Sequence, residues 1–236
     1  MKISFLIPCR NEEKNIGILV PRLLKTYKNL VNEIIILNDG SRDGTKNAAM
    51  SLRKKYGRKV KLINRKAPHG VGHSLQEGIK KVNPKSDWIL TMDADFLDNV
   101  GDIKKFINAV NKGYDGAIGS RFLNRHSLVN YPIQKKIANR AYHAAMRIVF
   151  GLRHRDVTNN FKFYKREIFD SIKLKAGNFA VNAETGILPI VKGYKIVEVP
   201  VVWKERDHGR SKFAVLKVGP GYLKVLLRIL KEKYFG

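Results

Sequence analysis

Residues 33–37 read Glu-Ile-Ile-Ile-Leu, a run that is apolar on both faces of an extended chain. A strand of that kind must be covered from both sides, as in a parallel sheet sandwiched between helices. The neighbouring segments supply the cover. Residues 12–30 place Ile16, Leu19, Val20, Leu23 and Leu24 at helical spacing, and residues 45–56 and 70–82 also read as helices. Apolar runs at residues 3–7, 59–63, 88–92 and 114–119 read as strands, with a further helix at 100–111. Strands alternating with helices of this length indicate βαβ units and an α/β fold with a mostly parallel sheet.

After residue 119 the alternation loosens. Residues 121–132 read as loop, 133–150 as helix, 161–164 as strand, 180–191 as helix and 195–203 as strand. A basic loop at 204–212 then precedes a last helix at 222–234. No repeat, low-complexity tract or linker interrupts the 236 residues, so one domain is expected. The net charge is +26, and residues 119–236 hold 24 basic against 8 acidic side chains. Such a balance favours anionic partners: nucleic acid, lipid headgroups or a phosphorylated substrate. Cys9 is the one cysteine, which excludes a disulfide within the chain and a cysteine-built metal cage. The longest stretch without Asp, Glu, Lys or Arg is residues 67–76, short of the roughly 20 apolar residues a membrane-spanning helix needs. Residues 1–8 run directly into charged ones, unlike a signal peptide, so a cytoplasmic location is expected.

Ligands of open parallel sheets sit at the carboxyl ends of the strands. Three such ends are polar here: Pro8-Cys9-Arg10-Asn11-Glu12, Asn38-Asp39-Gly40-Ser41 and Asp93-Ala94-Asp95. Asp93 and Asp95 would repel each other at the end of a buried strand unless a cation lay between them. A hard divalent ion such as Mg²⁺ meets that need and bridges substrate phosphates. An acidic turn capping the helix near Asn99 is the other reading. Asp39 likewise reads as an acceptor for a nucleoside hydroxyl or as an ordinary turn residue before Gly40.

The ordered set of motifs resembles the family 2 glycosyltransferases of GT-A fold. It comprises Pro8 with Asn11-Glu12, the turn Asp39-Gly40-Ser41-Arg42-Asp43-Gly44-Thr45, and Asp93-Ala94-Asp95. The second half adds Ile118-Gly119-Ser120-Arg121, Asp156-Val157-Thr158-Asn159-Asn160-Phe161, Val199-Pro200-Val201, and Arg206 with Gly209-Arg210-Ser211-Lys212. These are similar to the dolichol-phosphate mannose synthase branch. The resemblance implies a nucleotide-sugar-binding half at 1–120 and an acceptor-side half at 121–236. It assigns Pro8, Arg10, Glu12, Leu37, Asp39, Asp93, Ala94 and Asp95 to the nucleotide sugar. Asp93 and Asp95 would hold Mg²⁺ or Mn²⁺, and Asp95, Arg121, Arg206 and Lys212 would be the catalytic set, the three cations contacting phosphates. Lys135 and Asn139 fall at its acceptor-phosphate positions. Leu97 stands where the family usually has a metal-side Gln, which implies weaker metal binding.

The implied activity is metal-dependent, inverting transfer of a sugar, mannose from GDP-mannose before a UDP-sugar, to a dolichyl or polyprenyl phosphate. A phosphate monoester arrives already ionised and needs no general base. Transfer to a sugar hydroxyl would need one, for which Glu184 is the candidate. In the last helix Lys224, Arg228 and Lys231 lie opposite an apolar face, which suits either core packing or a peripheral position on the cytoplasmic membrane surface, with a separate anchor subunit as a possible partner. A basic nucleic-acid-binding module is the reading from another class. It is disfavoured because the strand-end carboxylates would repel a phosphate backbone and no DNA- or RNA-binding motif is present.

Overall fold

The computed structural model describes residues 1–124, 127–129, 131–204 and 215–234. The first half runs β1 (Ile3–Cys9), α1 (Glu13–Thr26), β2 (Val31–Asn38), α2 (Thr45–Tyr56), β3 (Val60–Asn64), α3 (Val71–Lys80), β4 (Trp88–Thr91), α4 (Ile103–Asn111) and β5 (Gly116–Ser120). The second half adds β6 (Leu128–Val129), α5 (Ile133–Phe150), β7 (Lys162–Lys165), α6 (Arg166–Ser171), α7 (Val181–Val191), β8 (Ile196–Pro200), β9 (Trp203–Lys204) and α8 (Val215–Tyr234). A seven-stranded sheet has the order β3-β2-β1-β4-β7-β5-β8, and β6 and β9 form a small parallel pair.

The two-faced apolar run behaves as its pattern demands. Ile34 and Ile36 of β2 join Phe5, Ile7, Ile16, Leu19 and Phe106 in a core on one face of the sheet. Ile35 and Leu37 point the other way, into a second core with Leu75, Met146, Ile187 and Ile229. Alternation along one strand thus feeds two separate helical layers.

Among the described residues all pairings are parallel except those of β7, which runs antiparallel to β4 and β5. Thr91 of β4 and Ile118 of β5 both pair with Lys162. The reversal brings the residues that precede β7 alongside the residues that follow β4. Segment 156–160 therefore lies at the same edge as Asp93 and Asp95.

Several boundaries differ from the pattern reading. Residues 121–132 include β6, whose pairing partner is more than seventy residues away, so no local turn announces it. The run at 195–203 divides into β8 and β9 after Pro200. The short α6 follows β7 directly. The last helix begins at Val215 rather than 222, with Pro220 inside it. Its buried face, including Tyr222, Val225, Leu226 and Ile229, packs on the second core, and that tertiary support outweighs the helix-breaking tendency of Pro220.

Candidate active site

The turns after β1 and β2 hold each other in place through side chains from both motifs. Asn11 has φ 60°, a left-handed conformation that Asn tolerates, and its Oδ1 accepts from Arg42 N at 2.8 Å. Its own N–H donates to Ser41 Oγ at 3.0 Å, and Glu12 N donates to Thr45 Oγ1 at 2.8 Å. Burial raises the Asp43 pKa, but hydrogen bonds from the Thr45 side chain and backbone, then Glu13 N, hold it below the usual value. Asn11, Ser41, Asp43 and Thr45 are thus the scaffold of this edge.

A cavity of about 490 Å³ opens at the carboxyl end of the sheet. Pro8, Arg10, Glu12, Asp39, Asp93, Ala94 and Asp95 border it from the first half, and Arg121, Lys135 and Asn139 from the second. Ten of the thirteen residues that the resemblance assigns to the site meet there. Leu37 does not: it is fully buried in the second core, against Gly78 of α3. Arg206 and Lys212 lie outside the described residues, as do all of residues 205–214.

Asp39 is engaged more heavily inside the protein than a ligand contact alone requires. It forms a buried ion pair with Arg65, meets His69 Nδ1 at 3.1 Å and accepts Gly70 N at 2.7 Å. Gly70 has φ 147°, and a Cβ there would lie 2.3 Å from the Gly177 carbonyl oxygen, so only glycine brings this N–H to the carboxylate. Asp39 therefore shapes the wall at the start of α3.

The end near β1 and β4 is acidic. Burial pushes the Cys9 thiol well above its ordinary pKa, and Glu12, Asp93, Asp43 and Asp95 push the same way. A cation would find a focused negative field there, although the chain carries a large positive charge. Among the described residues no group of three or more His, Cys, Asp or Glu forms a metal cage. Mg²⁺ is commonly held by one or two carboxylates together with substrate phosphates, and Asp93 with Asp95 fits that mode.

The opposite end is organised by a buried ion pair. Arg121 Nε donates to Asp156 Oδ2 at 2.6 Å, Nη2 to Oδ1 at 2.9 Å, and the Arg121 backbone N–H to Oδ2 at 3.1 Å. Burial would lower the Arg121 pKa, but Asp156 outweighs it and holds the guanidinium charged. Burial would raise Asp156, and Arg121 keeps it below the usual carboxylate range. Thr158 Oγ1 continues the array, accepting Asn139 Nδ2 at 3.0 Å. His143 behind it accepts Val157 N at Nε2 (2.9 Å), so its proton is on Nδ1, facing Asn139 O at 2.8 Å. Burial lowers the His143 pKa, in keeping with that neutral tautomer.

Sequence reasoning missed much of the wall. Tyr131, Trp203 and Tyr222 border the cavity, with Tyr131 and Trp203 edge to face at 4.8 Å. They come from the irregular second half, where no periodicity marked them. Asn160 and Asn182 also border it, and Asn160 stands inside a motif block that drew attention without a role for that residue. Lys162 lies beneath, fully buried, donating to the carbonyls of Asn159 at 2.5 Å and Asn182 at 2.9 Å. Burial lowers its pKa to about 7. Glu184 lies away from this cavity and accepts Lys175 N and Ala176 N, each at 3.0 Å, besides pairing with Arg228.

This architecture has known counterparts. The model of glycosyl transferase family 2 matches residues 4–173, and the chain belongs to that family. A dolichol-phosphate mannosyltransferase of Pyrococcus furiosus is 31% identical over 233 residues, covering 98% of this chain and 64% of that protein. The chain thus spans somewhat less than two thirds of that relative. A polyprenol monophosphomannose synthase of Mycolicibacterium smegmatis is 26% identical over 231 residues, covering 93% of this chain and 84% of that protein. Among solved structures, glucosyl-3-phosphoglycerate synthase of Mycobacterium tuberculosis, in complex with Mn²⁺, UDP and phosphoglyceric acid, superposes with a TM-score of 0.73. It shares 18% identity, over all of this chain and 79% of that one, and so bears on the GT-A fold alone.

Proposed function

We propose that this protein transfers a hexose, mannose in the first instance and from GDP-mannose, to a polyprenyl phosphate at a membrane surface. The observation that carries the reading is one cavity with an acidic end at Asp93 and Asp95, an opposite end where Lys135 stands with the Arg121–Asp156 pair, and an apolar wall between α5 and α8. The names of the two relatives support the donor sugar and the lipid phosphate acceptor.

In this reading Asp93 and Asp95 hold Mg²⁺ or Mn²⁺, which when bound neutralises charge on the departing diphosphate. Pro8, Arg10, Glu12 and the Asp39 wall enclose the nucleotide. Lys135 and Asn139 orient the acceptor phosphate, with Arg121 pinned by Asp156 beside them; Arg206 and Lys212 are further cations for these phosphates. An ionised acceptor oxygen attacks the anomeric carbon as the bond to the diphosphate oxygen breaks on the opposite face, which inverts the centre. No proton has to be removed from the phosphate. The placement of Glu184, saturated by backbone N–H groups outside the cavity, favours this acceptor over a sugar hydroxyl.

The lipid chain follows the α5–α8 side. Ala138, Tyr142, Ala145, Val218 and Leu226 line the cavity there. Ile133 and Ile137 of α5 and Leu223 and Leu227 of α8 are each more than half exposed, each pair one helical turn apart. Lys136 and Lys224 beside them are exposed too. Apolar rows flanked by lysines suit the headgroup plane of an anionic, cytoplasmic leaflet. Among the described residues no helix is long and apolar enough to cross a membrane. The deciding experiment offers GDP- and UDP-sugars with a short polyprenyl phosphate or the matching polyprenol and measures lipid-linked product. Product from the alcohol as readily as from the phosphate overturns the reading.

A further inference from the structure

Residues 158–160 line the cavity, with Asp156 buried just before them. Asp156 pins Arg121, and Thr158 accepts Asn139. Asn160 Nδ2 donates to Asp93 Oδ1 at 2.8 Å. A carboxylate only accepts, so this contact fixes the amide: nitrogen toward Asp93, oxygen away from it. Asn160 is 3% exposed and borders the cavity, and its Oδ1 is buried without a hydrogen-bond partner. Asn182 of α7, 7% exposed, borders the same cavity and has a buried Oδ1 in the same condition. Lys162 ties the two sites together from below through the Asn159 and Asn182 carbonyls.

Two buried amide oxygens without partners in the protein are costly unless water or a ligand supplies donors. The group that passes between a diphosphate at Asp93 and a phosphate at the Arg121–Lys135 end has to lie along segment 158–160. That group is the transferred hexose, whose hydroxyls are hydrogen-bond donors. We infer that Asn160 and Asn182 form the sugar-recognition subsite, their side-chain oxygens accepting hydrogen bonds from hexose hydroxyls and thereby selecting the sugar. The inference rests on the proposed transfer reaction and adds to it the residues that read the sugar. Lys162 is a positioning residue, holding the backbone on which both amides are mounted.

The test compares the wild-type protein with Asn160→Ala and Asn182→Ala, using the nucleotide hexose and its monodeoxy analogues as donors. Wild type is expected to lose about ten-fold in kcat/KM with at least one analogue, the size of one hydrogen bond with a buried acceptor left unmet. The variant lacking the matching acceptor should turn over that analogue and the parent sugar at similar, lower rates. Calorimetry with nucleoside diphosphate and Mn²⁺ is the second measurement. Its affinity should stay within about two-fold in Asn182→Ala, and fall less than turnover does in Asn160→Ala. If both variants keep the full wild-type penalty for every analogue, the subsite is wrong while the transferase reading stands. If Asn160→Ala weakens Mn²⁺-nucleotide binding as much as turnover, Asn160 serves Asp93 and the sugar assignment falls. If wild type transfers none of the sugars, the reaction itself is wrong, and the subsite with it.

Discussion

Replacing Asp156 by Ala tests whether the Arg121–Asp156 pair is scaffold, substrate site or both. Asp156 is fully buried and the Arg121 side chain is 14% exposed, so the substitution leaves a guanidinium enclosed with no counter-charge. It also strips the Arg121 backbone N–H of its acceptor. Removing one partner of a buried pair costs about 3–5 kcal/mol. For a protein of this size each kcal/mol shifts the midpoint by about 2–4 °C, so Tm should fall by about 6–20 °C in a calorimetric scan. The double variant Arg121→Met with Asp156→Leu removes both charges and should recover most of that loss, because an apolar pair has no desolvation penalty. The pH dependence has a definite sign. Asp156 is held below its unfolded pKa, so the stability it contributes is full above about pH 4 and is lost as pH falls through the folded value. That acid-labile part should be missing from Asp156→Ala. If Arg121 also contacts a substrate phosphate, the refolded double variant stays impaired in transfer. A Tm within 2 °C of wild type for the single variant, or no recovery in the double, would refute the buried-pair account.

Other outcomes follow from the same geometry. Asp95→Ala should abolish transfer and weaken Mn²⁺-dependent nucleotide binding in calorimetry with Tm nearly unchanged, since Asp95 borders the cavity and is outside the core. Glu184→Gln should lower Tm by several degrees yet leave kcat within a few-fold, because its carboxylate holds two backbone N–H groups and Arg228; a dead but stable variant would restore the hydroxyl-acceptor mechanism. Leu223→Glu with Leu227→Glu should reduce co-sedimentation with anionic vesicles several-fold without changing Tm, as both side chains are more than half exposed; unchanged binding removes α8 from the membrane surface.

Much of this molecule is legible along the chain because its information is local. The run 33–37 dictates a strand covered on both faces, and the cores formed by Ile34 and Ile36 on one side and Ile35 and Leu37 on the other follow from side-chain alternation. The polar strand ends at Pro8–Glu12, Asp39 and Asp93–Asp95 mark the ligand edge for the same reason, since parallel strands place their carboxyl ends together. Even so, composition could not separate a residue that touches ligand from one that builds the wall. Leu37 lies in the second core away from the cavity, while Asp39 borders the cavity and also carries Arg65 and Gly70.

What only the tertiary structure decided lies beyond residue 120. Nothing in the sequence of β7 states that it enters the sheet antiparallel, between β4 and β5. That direction sets the start of β7, rather than its end, beside Asp93, and so brings Thr158 and Asn160 to the cavity, with Asp156 buried behind Arg121. The burial of Lys162 has the same origin: a lysine in a strand pattern reads as solvated until strands on both sides and α7 above enclose it. Propensity and periodicity act over a few residues, whereas the order and direction of strands depend on how all the apolar faces are buried at once. The acidic half of the site therefore belongs to local motifs, and the half facing it belongs to the fold.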